Sequence, residues 1–173
     1  GSATALWTNG QDMVDACKLL GVDIMTGHWE FTLGAARVKQ IVDNDFKGKI
    51  DFVAQNIKTN DFGDPVFKPY IMKEINGVPV AIIGQAFPYT PIANPRWMVP
   101  DWSFGIQDDN MQKTVDEARA KGAQVVVVLS QEDFRKLAPA QEEEFDLLAH
   151  LLACPDKTLH KRIFRTPGAA RDV

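Results

Sequence analysis

The chain alternates short apolar runs with amphipathic stretches. Met13, Val14, Cys17 and Leu20 recur at helical spacing, which predicts a helix over Gln11–Leu20 with Thr8 or Asn9 as N-cap and Gly21 as the stop. Val22–Thr26 reads as a buried strand. A helix is predicted over Gly34–Asn44 and a strand over Ile50–Asn56, ending in the two amides Gln55 and Asn56. Lys58–Pro65 is polar and reads as a loop. Phe67–Ile75 and Val78–Phe87 are strand-like runs split by Asn76-Gly77, the strongest short hairpin signal, because both residues accept positive φ. Pro79 must then lie where no ladder donor is needed. A helix follows over Gln107–Ala120, with Met111, Val115 and Ala118 on one face. The valine-rich Gln124–Ser130 reads as a strand buried on both faces. Pro139–Ala153 is a predicted helix, with Glu142 to Glu144 favouring its N-terminal dipole. From Cys154 onward hydrophobic periodicity is lost, and the end reads as a loose tail.

The order α, β, α, β, β-hairpin, α, β, α predicts an α/β fold. Pro88–Trp102 interrupts it with four prolines and several aromatics. A segment of that length without regular structure is functional or disordered as a rule. Its aromatics and Met98 predict an ordered excursion that packs on something.

Composition adds exclusions. The 173 residues suffice for one domain with its own core, and the net charge of −4 gives no electrostatic case for nucleic acid. The only tight basic group is Lys161-Arg162 with Arg165. No apolar run reaches the roughly 18 residues of a membrane span. No basic-then-apolar leader opens the sequence, so a secretion signal is expected to be absent or removed. Cys17 and Cys154 form no C-x-x-C pair, which leaves two free or partly buried thiols as the reading.

The candidate chemistry lies in Thr26-Gly-His-Trp-Glu-Phe-Thr-Leu-Gly34, on the turn from the strand Val22–Thr26 into the next helix. Ligands of open α/β sheets bind at the C-terminal ends of strands. His28 and Glu30 are therefore candidates for metal ligands or an acid/base pair. Taken alone the pattern is weak, since an isolated histidine in a turn is more often a hydrogen-bonded structural residue.

Gly27-His-Trp-Glu-Phe31 resembles the Gly-Asn-His-Glu-Phe signature of the calcineurin-like metallophosphoesterases, in their 5′-nucleotidase branch. The substituted form is similar to the SoxB thiosulfohydrolases of bacterial sulfur oxidation. The same resemblance extends to Gly1–Gly10, Phe52–Asn56, Phe67–Tyr70, Gly84–Arg96 and Val125–Ser130, so it runs over about residues 1–130. It implies a partial layered αββα sandwich over 1–130, followed by a divergent helix and tail over 131–173. It implies that His28 stands where the family has a metal-binding Asn, and Trp29 where it has the catalytic His. Glu30 and Arg96 join Trp29 as catalytic candidates, Arg96 because a guanidinium fork suits sulfonate oxygens; a solvated surface arginine is the plainer alternative. The resemblance further implies two manganese or zinc ions about 3.5–4 Å apart, a substrate made of a cysteine S-thiosulfonate on a SoxYZ-type carrier protein, and a periplasmic location.

Departures limit the match. The family's Asp-x-His and Gly-Asp-Thr-Trp motifs precede the point where this sequence starts. Its His-Asn-Gly and Gly-His-Thr-His do not follow Ser130, where Gln131-Glu-Asp133 stands instead. Neither His150 nor His160 matches. The expectation is an internal fragment with an incomplete metal site, inactive by itself. The alternatives are a nucleotidase-like phosphoesterase and a non-catalytic interaction domain using the aromatic 88–102 stretch.

Overall fold

The computed structural model describes residues 2–106 and 108–130. The predicted helix over Pro139–Ala153, the tail, Cys154, Asp133, His150 and His160 lie outside the described residues.

Two helices open the chain, α1 (Ala3–Trp7) and α2 (Gln11–Leu19). Ser2 caps α1 by accepting the Ala5 N–H at 3.1 Å. The hydrophobic pattern does not reveal α1, whose single turn buries only Ala5. Nor is α2 capped as expected. Gly10 holds the N-cap in the left-handed region at φ 77°, and the Thr8 hydroxyl donates instead to the Asp12 carboxylate at 2.6 Å.

Strand β1 (Ile24–Met25) pairs in parallel with β2 (Asp51–Phe52). Both are shorter than their apolar runs suggest. The reason is a change of partner: Val53 bridges to Lys68, the Ala54 N–H bonds the Lys68 carbonyl, and the Gln55 N–H bonds the Gly84 carbonyl at 2.8 Å. Between the strands lie a 3₁₀ turn (Trp29–Leu33), α3 (Ala35–Gln40) and a π-helical turn (Ile41–Asp45) that continues α3. Arg37 ties this helix to the N-terminal pair. Its guanidinium reaches the Asn9 carbonyl, the Gln11 amide oxygen and the Asp45 carboxylate, all within 3.0 Å.

The expected polar loop contains β3 (Lys58–Thr59). It pairs antiparallel with β6 (Trp102–Ser103), at the far end of the Pro-rich excursion. The hairpin forms as predicted: β4 (Tyr70–Ile75) and β5 (Val78–Gln85) flank Asn76 and Gly77 at φ 53° and 78°. Pro79 pairs with Glu74, one residue before the first β5–β7 pair at Val80 and Val125, so its missing N–H costs no ladder bond. The excursion is ordered, through α4 (Thr90–Ala93) and a 3₁₀ turn (Arg96–Met98). It packs by Trp102 against Phe67 and Phe31, while Trp97 stays exposed. Then come α5 (Asp108–Ala120) and β7 (Val125–Ser130), which joins β5 in parallel.

In the three-stranded sheet β4-β5-β7, β5 is central and buried on both faces. Ala81, Ile83 and Val126 meet Val115 and Ala118 of α5 on one side. Val80, Ile82 and Val125 face the other side, with Ile24 and Ile71. Of β7, only Val125 and Val126 are fully buried; Val127–Ser130 are half-buried, so the two-faced burial expected of the whole valine run holds only at its start. A second cluster around Phe31, Val38, Phe52, Ile57 and Phe67 supports β1, β2 and the turn between β1 and α3. The result is a partial α/β fold, with one helix layer on a mixed sheet.

Candidate functional site

The site grows from the end of β1. Thr26 is buried, and its hydroxyl has no hydrogen-bond partner among the described residues. Gly27 is enclosed: a Cβ there would lie 2.5 Å from Cζ of Phe31 and 2.8 Å from Cζ of Phe52. Glycine lets the chain pass between two core rings and emerge at His28. Phe31 is fully buried, edge-on to Phe104 at 5.0 Å, and pins the 3₁₀ turn to the core. Burial of such a ring is worth about 1.5–3 kcal/mol.

His28 is half-buried at the start of that turn. Its backbone N–H donates to Glu30 Oε2 at 2.6 Å. Its ring lies 4.1 Å from that of Phe87 and stacks on Trp29 at 5.1 Å, and Tyr89 meets Phe87 edge-on at 5.7 Å. The Phe87 N–H donates to the Gly27 carbonyl at 3.0 Å, tying the exit of β5 to this turn. Trp29 is 58% exposed, so the stack ends in solvent.

Beside β5 lies a cluster of amides. Gln55 donates to the Gln85 side-chain oxygen at 2.6 Å. Asn56 accepts the Ala86 N–H at 2.8 Å and donates to the Ala86 carbonyl at 2.8 Å and to the Gly105 carbonyl at 3.2 Å. A cavity of about 40 Å³ opens here, lined by Gln55, Asn56, Lys58, Ser103, Phe104, Gly105 and Asn110. That is room for roughly one water. His28 is not part of its lining.

The turn thus brings His28, Trp29 and Glu30 together. Arg96 stands apart on its own 3₁₀ turn, exposed and without an ion pair or hydrogen bond among the described residues. Cys17 is free, and burial, helped by the Glu30 charge, pushes its thiol pKa up. Phe87 and Gln85 do not stand out in the sequence as site residues. Their signal is only the Gly84–Arg96 stretch as a whole.

Among the described residues, no group of three or more His, Cys, Asp or Glu side chains could hold a metal ion, and His28 is the one histidine. Each divalent ion needs several protein ligands. The donors among the described residues do not fit a dinuclear centre by themselves.

The chain matches no protein-family model and no curated protein. It does match solved structures. The sulfate thiohydrolase SoxB of Thermus thermophilus, solved in complex with glycerol, is 36% identical with a TM-score of 0.72, over 78% of this chain and 24% of SoxB. The chain is a SoxB-like part of a metallophosphoesterase domain. A 5′-nucleotidase precursor, also from Thermus thermophilus, is 27% identical with a TM-score of 0.63, over 75% of this chain and 25% of that one. The calcineurin-like phosphoesterase YfkN of Bacillus subtilis shares the fold at 18% identity, with a TM-score of 0.63, over 78% of this chain and 43% of YfkN. The SoxB-like chain therefore spans about a quarter of the length of the first two. Its superfamily consists of hydrolases with a dinuclear metal centre. No helix among its described residues is long and apolar enough to cross a membrane.

Proposed function

We propose that this chain is part of a thiosulfohydrolase, which releases sulfate from a cysteine S-thiosulfonate on a SoxYZ-type carrier protein in the periplasm. The observation that carries this reading is the 36% identity to a sulfate thiohydrolase. The order His28-Trp29, where nucleotidases of the superfamily carry Asn-His, favours it over a nucleotidase. In the reaction, water adds across the bond between the sulfane sulfur and the sulfonate. Sulfate leaves, and the carrier keeps a persulfide. Residues 1–130 supply part of the domain.

In this reading His28 is the metal-side residue, since a neutral imidazole suits manganese or zinc. Trp29 shapes the reaction face with Glu30, and Arg96 binds sulfonate oxygens as a guanidinium fork. The other metal ligands belong to segments outside those described, so no catalytic step is assigned to the ions. By itself the chain is inactive.

The test is a chimera. The matched quarter of Thermus thermophilus SoxB is replaced by residues 1–130, and sulfate release from a thiosulfonate-conjugated cysteine peptide is compared with phosphate release from a nucleoside monophosphate. Sulfate release that is lost in His28→Ala supports the proposal. Hydrolysis of the nucleotide alone establishes the second reading, a nucleotidase-like phosphoesterase, for which the 27% identity to the nucleotidase precursor speaks.

A further inference from the structure

We infer that Glu30 and Phe87 are positioning residues for His28, the carboxylate fixing its backbone and the phenyl ring fixing its imidazole plane. The inference rests on His28 being the working side chain of the proposed site.

A histidine ligand is ordinarily oriented by a hydrogen bond from its second ring nitrogen to a carboxylate or carbonyl. His28 has no such bond: neither ring nitrogen has a hydrogen-bond partner among the described residues. Its support comes from the ring faces and the main chain. Phe87 lies 4.1 Å from the imidazole, tilted by 38°, and Trp29 stacks on it at 5.1 Å and 23°, so aromatic carbon packs against the ring. Phe87 is itself held firmly. Its N–H bonds the Gly27 carbonyl, Tyr89 backs its ring, and the preceding Ala86 is gripped on both sides by the Asn56 amide. A short rigid chain therefore runs from buried Asn56 to the imidazole.

Glu30 acts from the other side. Its Oε2 lies 2.6 Å from the His28 nitrogen, a charge-assisted contact of the stronger kind. This is its only hydrogen bond among the described residues. A general acid or base needs its carboxyl aimed at the proton it moves. Here the carboxylate folds back two residues to close the turn that presents His28. Its use is geometric, and a neutral acceptor of the same shape would serve.

NMR of the full 173-residue chain tests this, with the His28 signals assigned by their loss in His28→Gln. In the unaltered chain, the imidazole carbon-bound protons should show the upfield shift of a stacked ring, and the His28 amide proton a downfield shift with slowed exchange. Phe87→Leu should move the imidazole protons downfield, leaving only the part of the shift that the stacked Trp29 ring supplies, and Phe87→Tyr should restore the full shift. Glu30→Ala should abolish the second and Glu30→Gln retain it, with the amides of α5 and β7 unmoved in all four variants. Unshifted imidazole protons in the unaltered chain overturn the inference, and that measurement stands even if a variant fails to fold. Glu30→Gln behaving like Glu30→Ala, or Phe87→Leu leaving the imidazole signals in place, overturns it as well. A failed chimera assay alongside intact signatures refutes the proposed function and leaves the positioning roles standing.

Discussion

Gly84→Ala offers a direct measure of how tightly β2 and its continuation are laid against the sheet. A Cβ at position 84 would lie 1.9 Å from the Val53 carbonyl oxygen, 2.3 Å from its carbon and 2.9 Å from the Ala54 nitrogen. All three atoms are backbone, so no side chain can rotate away. Relief requires the two segments to part by about 1.5 Å to reach ordinary contact distance. That movement breaks the 2.8 Å bond from the Gln55 N–H to the Gly84 carbonyl. Overpacking of this kind costs about 1–3 kcal/mol. Leaving a buried backbone pair unmade adds about 1–3 kcal/mol. A total near 4 kcal/mol corresponds to a fall in Tm of about 12 °C for a chain of this size. Gly105→Ala is the control, because no atom lies within 4 Å of its Cβ position. Thermal melting followed by far-UV circular dichroism provides the assay. If Gly84→Ala melts together with the Gly105→Ala control, Val53 does not approach Gly84 as described and the reasoning fails.

Four further outcomes are expected. Gly27→Ala should displace the Phe31 or Phe52 ring at a cost of about 1–3 kcal/mol, visible as a lower urea midpoint and altered near-UV dichroism. Cys17 should alkylate with iodoacetamide only at a pH above that of a free thiol, because its pKa is raised; the linked stability is present below the unfolded-state thiol pKa and lost as pH rises through the folded one. Glu117 is held below the usual carboxylate range by hydrogen bonds from Lys121 and Tyr70, and the Lys121 pKa is raised by the same contact. The Glu117 contribution is therefore present above the ordinary carboxylate pKa and lost as pH falls through the depressed one, so Glu117→Gln should lower the melting temperature slightly at neutral pH, the pair being exposed, and the difference from the unaltered chain should vanish along the acid limb of an acid-titrated melting series. Isothermal titration of the purified chain with manganese should show binding far weaker than an intact dinuclear centre gives, and two tightly held ions per chain would refute the incomplete-site reading.

The parts legible in the sequence are those whose signal is local. Asn76-Gly77 announces the hairpin because two successive positive φ angles are needed there. The valine run announces β7, although its burial is complete only at Val125 and Val126. Pairings between distant segments leave no trace: Lys58–Thr59 reads as loop because its strand partner is Trp102–Ser103, over forty residues on. The end of β2 departs from its pattern for a related reason, since Val53–Gln55 trade one partner for two others that periodicity cannot see. The His28 turn is legible because strand, glycine and helix signals bracket it. The carboxylate of Glu30 turned back on the His28 amide, and the Phe87 ring laid on the imidazole, depend on how β5 leaves the sheet.

The double grip of Asn56 on Ala86 also bears on how the protein ages. An asparagine deamidates when the next backbone nitrogen swings round to attack the side-chain carbonyl. The Asn56 amide is buried and bonded at both ends, so that swing is blocked. Asn76 has the opposite circumstances, exposed at a hairpin tip and followed by a glycine that offers no hindrance. Stored protein should therefore acquire aspartate or isoaspartate at position 76 before position 56, as peptide mass spectrometry would show, so that chemical wear reaches the hairpin tip while the support beneath His28 persists.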